Sequence, residues 1–152
     1  DIMKAVVQRV CASRVEIDGK TVGEIGKGLN ILLGISPEDT ERECDILLDK
    51  IVKLRIFGDE QGKLNRSLMD VQGELLVMSQ FTLFADCRHG RRPSFLGAAR
   101  PETAVPLYER FLSRAQEMGI RTEHGEFGAD MLVHIENDGP VTILLDTKEL
   151  AG

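Results

Sequence analysis

Met3-Lys4-Ala5-Val6-Val7-Gln8-Arg9-Val10-Cys11 alternates apolar and polar positions and is rich in Val, the pattern of a β-strand with one face buried. The alternation resumes at Val15 to Ile17. Asp18-Gly19-Lys20 then supplies hairpin turn chemistry before Thr21 to Ile25. Leu29 to Ile35 reads as a buried strand, so the chain opens as an antiparallel meander. Ser36 is placed to cap a helix with Pro37 at its first position and Glu38 and Asp39 in its first turn. Cys44, Leu47, Leu48, Ile51 and Leu54 then recur at helical spacing. Leu54 to Phe57 and Glu74 to Phe84 read as further strands. Pro101 opens a second helix with a stripe of Val105, Tyr108, Phe111, Leu112, Ala115 and Met118, closed by Gly119. Arg121 to His124, Met131 to Glu136 and Val141 to Leu145 are the closing strands. The fold class predicted is α/β: mixed, largely antiparallel sheet layers with two amphipathic helices in a single domain over residues 3–152. Asp1-Ile2, ahead of Met3, reads as a remnant left by cloning or an alternative start.

A chain of 152 residues with 42% hydrophobic and 29% charged residues is long enough to bury a core of its own. Its apolar runs are far shorter than the roughly 20 residues that span a bilayer, and no apolar signal core follows the N-terminal basic residue. No membrane association or export is expected. Cys11, Cys44 and Cys87 are odd in number and lack C-x-x-C spacing, which argues against a disulfide framework or a zinc site and for a reducing cytoplasm. Their default role is that of small buried hydrophobes. The net charge of −6 speaks against nonspecific binding of nucleic acid, and no DNA partner is expected. A local contact is still open to Arg88, His89, Arg91, Arg92 and Arg100, which either meet a few phosphates at one end of an RNA or form a solvated loop.

The chemistry of familiar hydrolases is missing. His89, His124 and His134 stand at no metal-ligand spacing, and there is no G-x-S-x-G, P-loop or G-x-G-x-x-G motif. Two segments remain. Ser79-Gln80-Phe81-Thr82-Leu83 offers hydroxyls, an amide, an aromatic ring and backbone N–H groups near a strand end, a set able to bind an oxyanion and stack a base but without a general base. Thr82 reads either as an inward strand residue or as a nucleophile. Asn137-Asp138-Gly139-Pro140-Val141-Thr142 places Gly-Pro between two apolar runs, either as a solvent-facing trans turn or as a cis turn that aims its carbonyls.

In this order and at this separation the two segments resemble the signature motifs of the D-aminoacyl-tRNA deacylases, also called D-tyrosyl-tRNA deacylases. The resemblance extends over nearly the whole chain, through Met3 to Val10, Leu64-Asn65-Arg66-Ser67 and Arg92-Pro93-Ser94-Phe95. A related animal deacylase acting on L-alanyl-tRNA has a first motif that begins with Pro and lacks the Phe, so Ser79 and Phe81 favour the D-specific type. The resemblance implies a homodimer with its active site at the dimer interface, in which a cis Gly139-Pro140 turn of each protomer enters the partner's site. Asn137, Gly139 and Pro140 would form a main-chain chirality filter, oriented by Arg9 with Met131 packed beside it. Ser79, Gln80, Phe81 and Thr82 would be the catalytic set. Ester hydrolysis would be assisted by the 2′-OH of the tRNA, with Thr82 as nucleophile the rival mechanism. The expected substrate is the acceptor end of D-aminoacyl-tRNA, together with glycyl-tRNA, including glycine misattached to alanine tRNA. No metal or organic cofactor is implied. A noncatalytic RNA- or protein-binding dimeric module and a generic esterase are the alternatives from other classes.

Overall fold

The computed structural model describes residues 3–150, so Asp1-Ile2 lie outside the described residues. β1 (Lys4–Ile17) is the strand around which the others are arranged. β2 (Lys20–Ile25) and β3 (Gly28–Gly34) follow one another along one of its edges, both antiparallel to it. The opposite edge is taken along nearly its whole length by β8 (Leu132–Asp146). β6 (Glu74–Ser79) pairs parallel to β3, and β7 (Thr122–His124) pairs parallel to β6. β2 then comes round against β7, so closely that a Cβ at Gly23 would sit 2.7 Å from the His124 carbonyl oxygen. The result is a mixed, nearly closed barrel-like sheet in a single α/β domain. A separate ribbon pairs β4 (Phe57–Gly58) with β5 (Leu64–Arg66).

The expected alternation in β1 holds, with a shift of phase. Ala5 and Val7 face the first core, which lies between the sheet and helices α1 (Glu41–Lys53) and α2 (Pro101–Glu117). Val10 faces a second core on the opposite side of the sheet, and after an irregularity at Cys11 it is the odd positions Ser13 and Val15 that face that way. One extra residue in a strand reverses which side chains point inward, as a bulge must. The expected hairpin turn narrows to two residues, Asp18 and Gly19, both with positive φ, 52° and 79°, and Lys20 already belongs to β2.

Helix α1 begins later than expected. Ser36 does not cap it: its N–H is held by Asp39 Oδ2 at 2.7 Å in a preceding turn. The cap is Thr40, in a capping box with Glu43, and the stripe of Cys44, Leu47, Leu48 and Ile51 is buried as predicted. Burial raises the Glu43 pKa, but hydrogen bonds from Thr40 outweigh it and hold the carboxyl below its ordinary 4.5. Thr40→Ala should therefore lower stability by about 1 kcal/mol. A folded-state pKa below the unfolded one means that the Glu43 contribution is present above pH 4.5 and fades as pH falls through the lowered value. Urea titrations of both proteins from pH 7 to pH 3 should show the gap between them narrowing. In α2 the buried positions are Ala104, Leu107, Tyr108, Phe111, Leu112 and Ala115; Val105 and Met118 are only partly buried.

Four other expectations are corrected. Leu54 to Ile56 is not strand, leaving only Phe57–Gly58 in β4. The apolar run from Glu74 does not stay extended to Phe84: β6 ends at Ser79 and Phe81–Phe84 is a 3₁₀ turn. The two closing strands around Gly139-Pro140 are one strand, β8, and a third helix, α3 (Thr147–Leu150), follows it. Of the cysteines only Cys44 is buried, its thiol pushed up to about 12 by burial, whereas Cys11 and Cys87 are exposed. Among the described residues no helix is long and apolar enough to cross a membrane.

Candidate active site

The first motif sits where β6 stops. Ser79 is the last residue paired with β3, opposite Leu33, and the Gln80 N–H donates to the Leu33 carbonyl at 2.8 Å. There the backbone turns at Gln80 (φ −140°, ψ 87°), and the Leu83 N–H donates back to the Gln80 carbonyl at 3.3 Å. The first amides of such a turn have no acceptor within it. Those of Phe81 and Thr82 make no backbone hydrogen bond within the described residues, which leaves two adjacent donors without a backbone acceptor. Thr82 is exposed, not an inward strand residue, and its hydroxyl accepts from the Gln80 side-chain amide. Phe81 is 56% exposed and meets Phe95 edge-on, with ring centroids 5.1 Å apart.

The second motif is an excursion of β8. Gln8 pairs with Thr142 and Val10 with Asn137, so Asp138, Gly139, Pro140 and Val141 together stand opposite Arg9 alone. The Gly139-Pro140 peptide is cis. Gly139 has a φ of +126°, a region L side chains rarely adopt, and a Cβ there would lie 2.9 Å from Arg9 Nη2 and 3.0 Å from Val141 N. Glycine is required at this position on both counts. Arg9, only 14% exposed, donates through Nε to the Asp138 carbonyl at 3.0 Å and through Nη1 to the Ile56 carbonyl at 2.7 Å. Its guanidinium also stands 3.6 Å from Asp138 Oδ2. The arginine thus ties the excursion to the segment that follows α1.

Ser79, Gln80 and Phe81 share a cleft of about 340 Å³ with Met78, Phe127 to Met131 and Val133. Met131 therefore belongs with the first motif. Its sulfur occupies the space above Gly125, where a Cβ would collide with it. None of residues 137–142 lines the cleft, so Asn137, Gly139, Pro140 and Arg9 form a second group, separate from the first within one chain. No local signal marks the carbonyl of Ile56 as an anchor or Phe127 to Asp130 as a wall. The first is a backbone atom, and the second lies in a loop whose only local punctuation is Gly125 and Gly128. None of the three histidines lines the cleft: the ring of His124 lies 2.6 Å from the Gly125 carbonyl, that of His134 is bonded to Glu16, and His89 is exposed on the loop after the first motif. Among the described residues no group of three His, Cys, Asp or Glu is arranged to hold a metal ion.

Known proteins share both the fold and the sequence. The family described as D-Tyr-tRNA(Tyr) deacylase matches residues 6–146. A D-aminoacyl-tRNA deacylase of Clostridium kluyveri is 60% identical over 148 residues, which covers 97% of this chain and 99% of that protein. One from Clostridium botulinum (strain Loch Maree / Type A3) is 58% identical over 147 residues, with the same coverage. Among solved structures, the c-Myc DNA unwinding element binding protein superposes with a TM-score of 0.87 at 46% identity, over 93% of this chain and 97% of that one. A probable eukaryotic D-amino acid tRNA deacylase, 16% identical, superposes at 0.83 over 96% of this chain and 100% of that one, a likeness of fold. With a family match across both motifs and relatives this similar over almost their full length, the chain belongs to the D-Tyr-tRNA(Tyr) deacylase family, hydrolases of the aminoacyl-tRNA ester bond.

Proposed function

We propose that the protein acts in the cytoplasm as a homodimer that hydrolyses D-aminoacyl-tRNA, with the Gly139-Pro140 turn of each protomer entering the Ser79–Phe81 cleft of its partner. The observation that carries this reading is the separation of the two motifs within one chain: the turn is exposed and held by Arg9, yet lines no part of its own cleft. A second copy brings them together. Leu132 and Leu144, 61% and 75% exposed along β8, give that copy an apolar surface to cover.

The turn then works as a filter made of main chain. Inverting an α-carbon exchanges its hydrogen with its side chain, so carbonyls set against one face admit the hydrogen of a D-residue and collide with the side chain of an L-residue. The D side chain points away from the filter, and one site serves many D-amino acids. Glycine has no side chain to reject, so glycyl-tRNA is a substrate too, including glycine misattached to alanine tRNA. The free amides of Phe81 and Thr82 are suited to the ester carbonyl as negative charge develops on its oxygen. The exposed face of Phe81 suits the terminal adenine, and Thr82 and Gln80 position the ribose. Proton transfer falls to the tRNA, whose 2′-OH lies beside the ester.

Purified protein incubated with D- and L-tyrosyl-tRNA should release free tyrosine from the D ester only, and sedimentation at micromolar concentration should show a dimer. Binding of charged tRNA without release would indicate the noncatalytic module instead. An active monomer would contradict the shared site.

A further inference from the structure

The loop from Asp86 to Arg100 carries Arg88, Arg91, Arg92 and Arg100 with Asp86 as its single acidic residue, on a chain whose net charge is −6. It is a built loop. Its base is closed by reciprocal backbone hydrogen bonds, Asp86 N–H to the Ser94 carbonyl at 2.7 Å and Ser94 N–H to the Asp86 carbonyl at 2.9 Å. Farther along, the Ala99 N–H donates to the Ile35 carbonyl at 2.9 Å. Arg88 consumes the one carboxylate, binding Asp86 Oδ1 through Nε at 2.9 Å and Oδ2 through Nη2 at 2.8 Å. That hydrogen bonding holds the Asp86 carboxyl at about 2, so it remains ionised and committed to Arg88 across the neutral range. Arg100 stands 3.6 Å from Glu102. Arg91 and Arg92, both exposed, are left without an acidic partner among the described residues. The loop is joined to the candidate site by the contact of Phe95 with Phe81.

Two uncompensated guanidinium groups on a closed loop, beside an exposed aromatic pair, match an anionic strand that carries bases. We propose that Arg91 and Arg92 bind backbone phosphates of the single-stranded 3′ end of tRNA, immediately before the adenosine held at Phe81. This rests on the reading that aminoacyl-tRNA is the substrate. Arginine suits the task because its planar donor fork matches a phosphate. An acidic protein segment would use the same charges but leave the Phe81–Phe95 pair without a base to stack on.

The test uses the full chain and a fluorescein-labelled RNA hairpin with a single-stranded ACCA end, read by anisotropy between 50 and 200 mM salt. Wild type is compared with Arg91→Gln/Arg92→Gln and with Lys50→Gln on the exposed face of α1. The double variant should bind roughly tenfold more weakly, the scale of losing two solvent-exposed ion pairs. Its log–log salt slope should fall by about 1.4, at about 0.7 per phosphate for a single strand. Lys50→Gln should match wild type, and Arg91→Lys/Arg92→Lys should regain the slope. In kinetics, the double variant should raise KM for D-tyrosyl-tRNA and leave hydrolysis of D-tyrosyl-adenosine unchanged. Unchanged affinity and slope would overturn the inference, as would equal losses on both substrates, which would make the loop a support for the site. If wild type released tyrosine from neither ester, the proposed function would fall, and the anisotropy comparison would still decide the role of the two arginines.

Discussion

D-tyrosyl-tRNA ending in 2′-deoxyadenosine should be hydrolysed at least about a thousandfold more slowly than the ribose form, a barrier higher by about 4 kcal/mol. Thr82→Ala should stay within about tenfold of wild type, or about 1.4 kcal/mol. The contrast follows from what surrounds Thr82. Its hydroxyl accepts from the Gln80 amide nitrogen, a donor that cannot remove a proton. His124 and His134 are engaged elsewhere, with Gly125 and Glu16. Among the described residues no histidine or carboxylate is bonded to that hydroxyl, so a threonine nucleophile has no base in place to activate it, whereas the vicinal hydroxyl of the substrate arrives with the ester. Single-turnover rates on the two substrates and the two proteins make the comparison. A trapped acyl-threonine, or near-normal hydrolysis of the deoxy substrate, would restore Thr82 as the nucleophile.

Gly139→Ala should lower kcat/KM for D-tyrosyl-tRNA by about a hundredfold or more, the scale of a misplacement of about 1 Å in a positioned site. At a φ of +126° an alanine is strained, and its Cβ would press on both the Arg9 guanidinium and Val141. The turn has to leave its position or Arg9 has to release it. Because Gly139 and Pro140 are exposed, thermal unfolding should move little. Steady-state kinetics alongside a melting curve separate the two effects, and a large drop in stability with activity retained would mean that the turn is structural.

The opening strands, the first hairpin and α2 are legible in the sequence because their signals are local: alternation in β1, Asp18-Gly19 at a turn, Pro101 at a helix start. Three elements depart from their local signals for identifiable reasons. Ser36-Pro37 satisfies the rules for a helix start, but the Asp39 side chain closes a turn on Ser36, and Thr40 with Glu43 completes a capping box one turn later. Leu75 to Phe84 is too apolar for its period to show where extension ends. The end is set at Gln80 by a bond from its N–H to Leu33, forty-seven positions earlier, and by the turn beyond it. Gly139-Pro140 looks like punctuation between two strands, yet both halves pair with the same edge of β1. In the candidate site, Ser79 to Phe81 are adjacent in sequence and together in space. The pairing of Arg9 with the turn is a matter of register across 129 positions, which no local pattern carries. Likeness of motif supplied it.

The central claim is that selectivity resides in the main chain of the Gly139-Pro140 turn as gripped by Arg9. Arg9→Ala removes the guanidinium that joins the Asp138 and Ile56 carbonyls while leaving every residue of the turn in place. The most direct measurement is the ratio of hydrolysis rates for D- and L-tyrosyl-tRNA in wild type and in Arg9→Ala. The account predicts a high ratio in wild type that falls at least about tenfold in the variant, a loss of about 1.4 kcal/mol of discrimination, with L-tyrosyl-tRNA now cleaved. An unchanged ratio in a folded, active Arg9→Ala protein would place the selectivity in other side chains and contradict it.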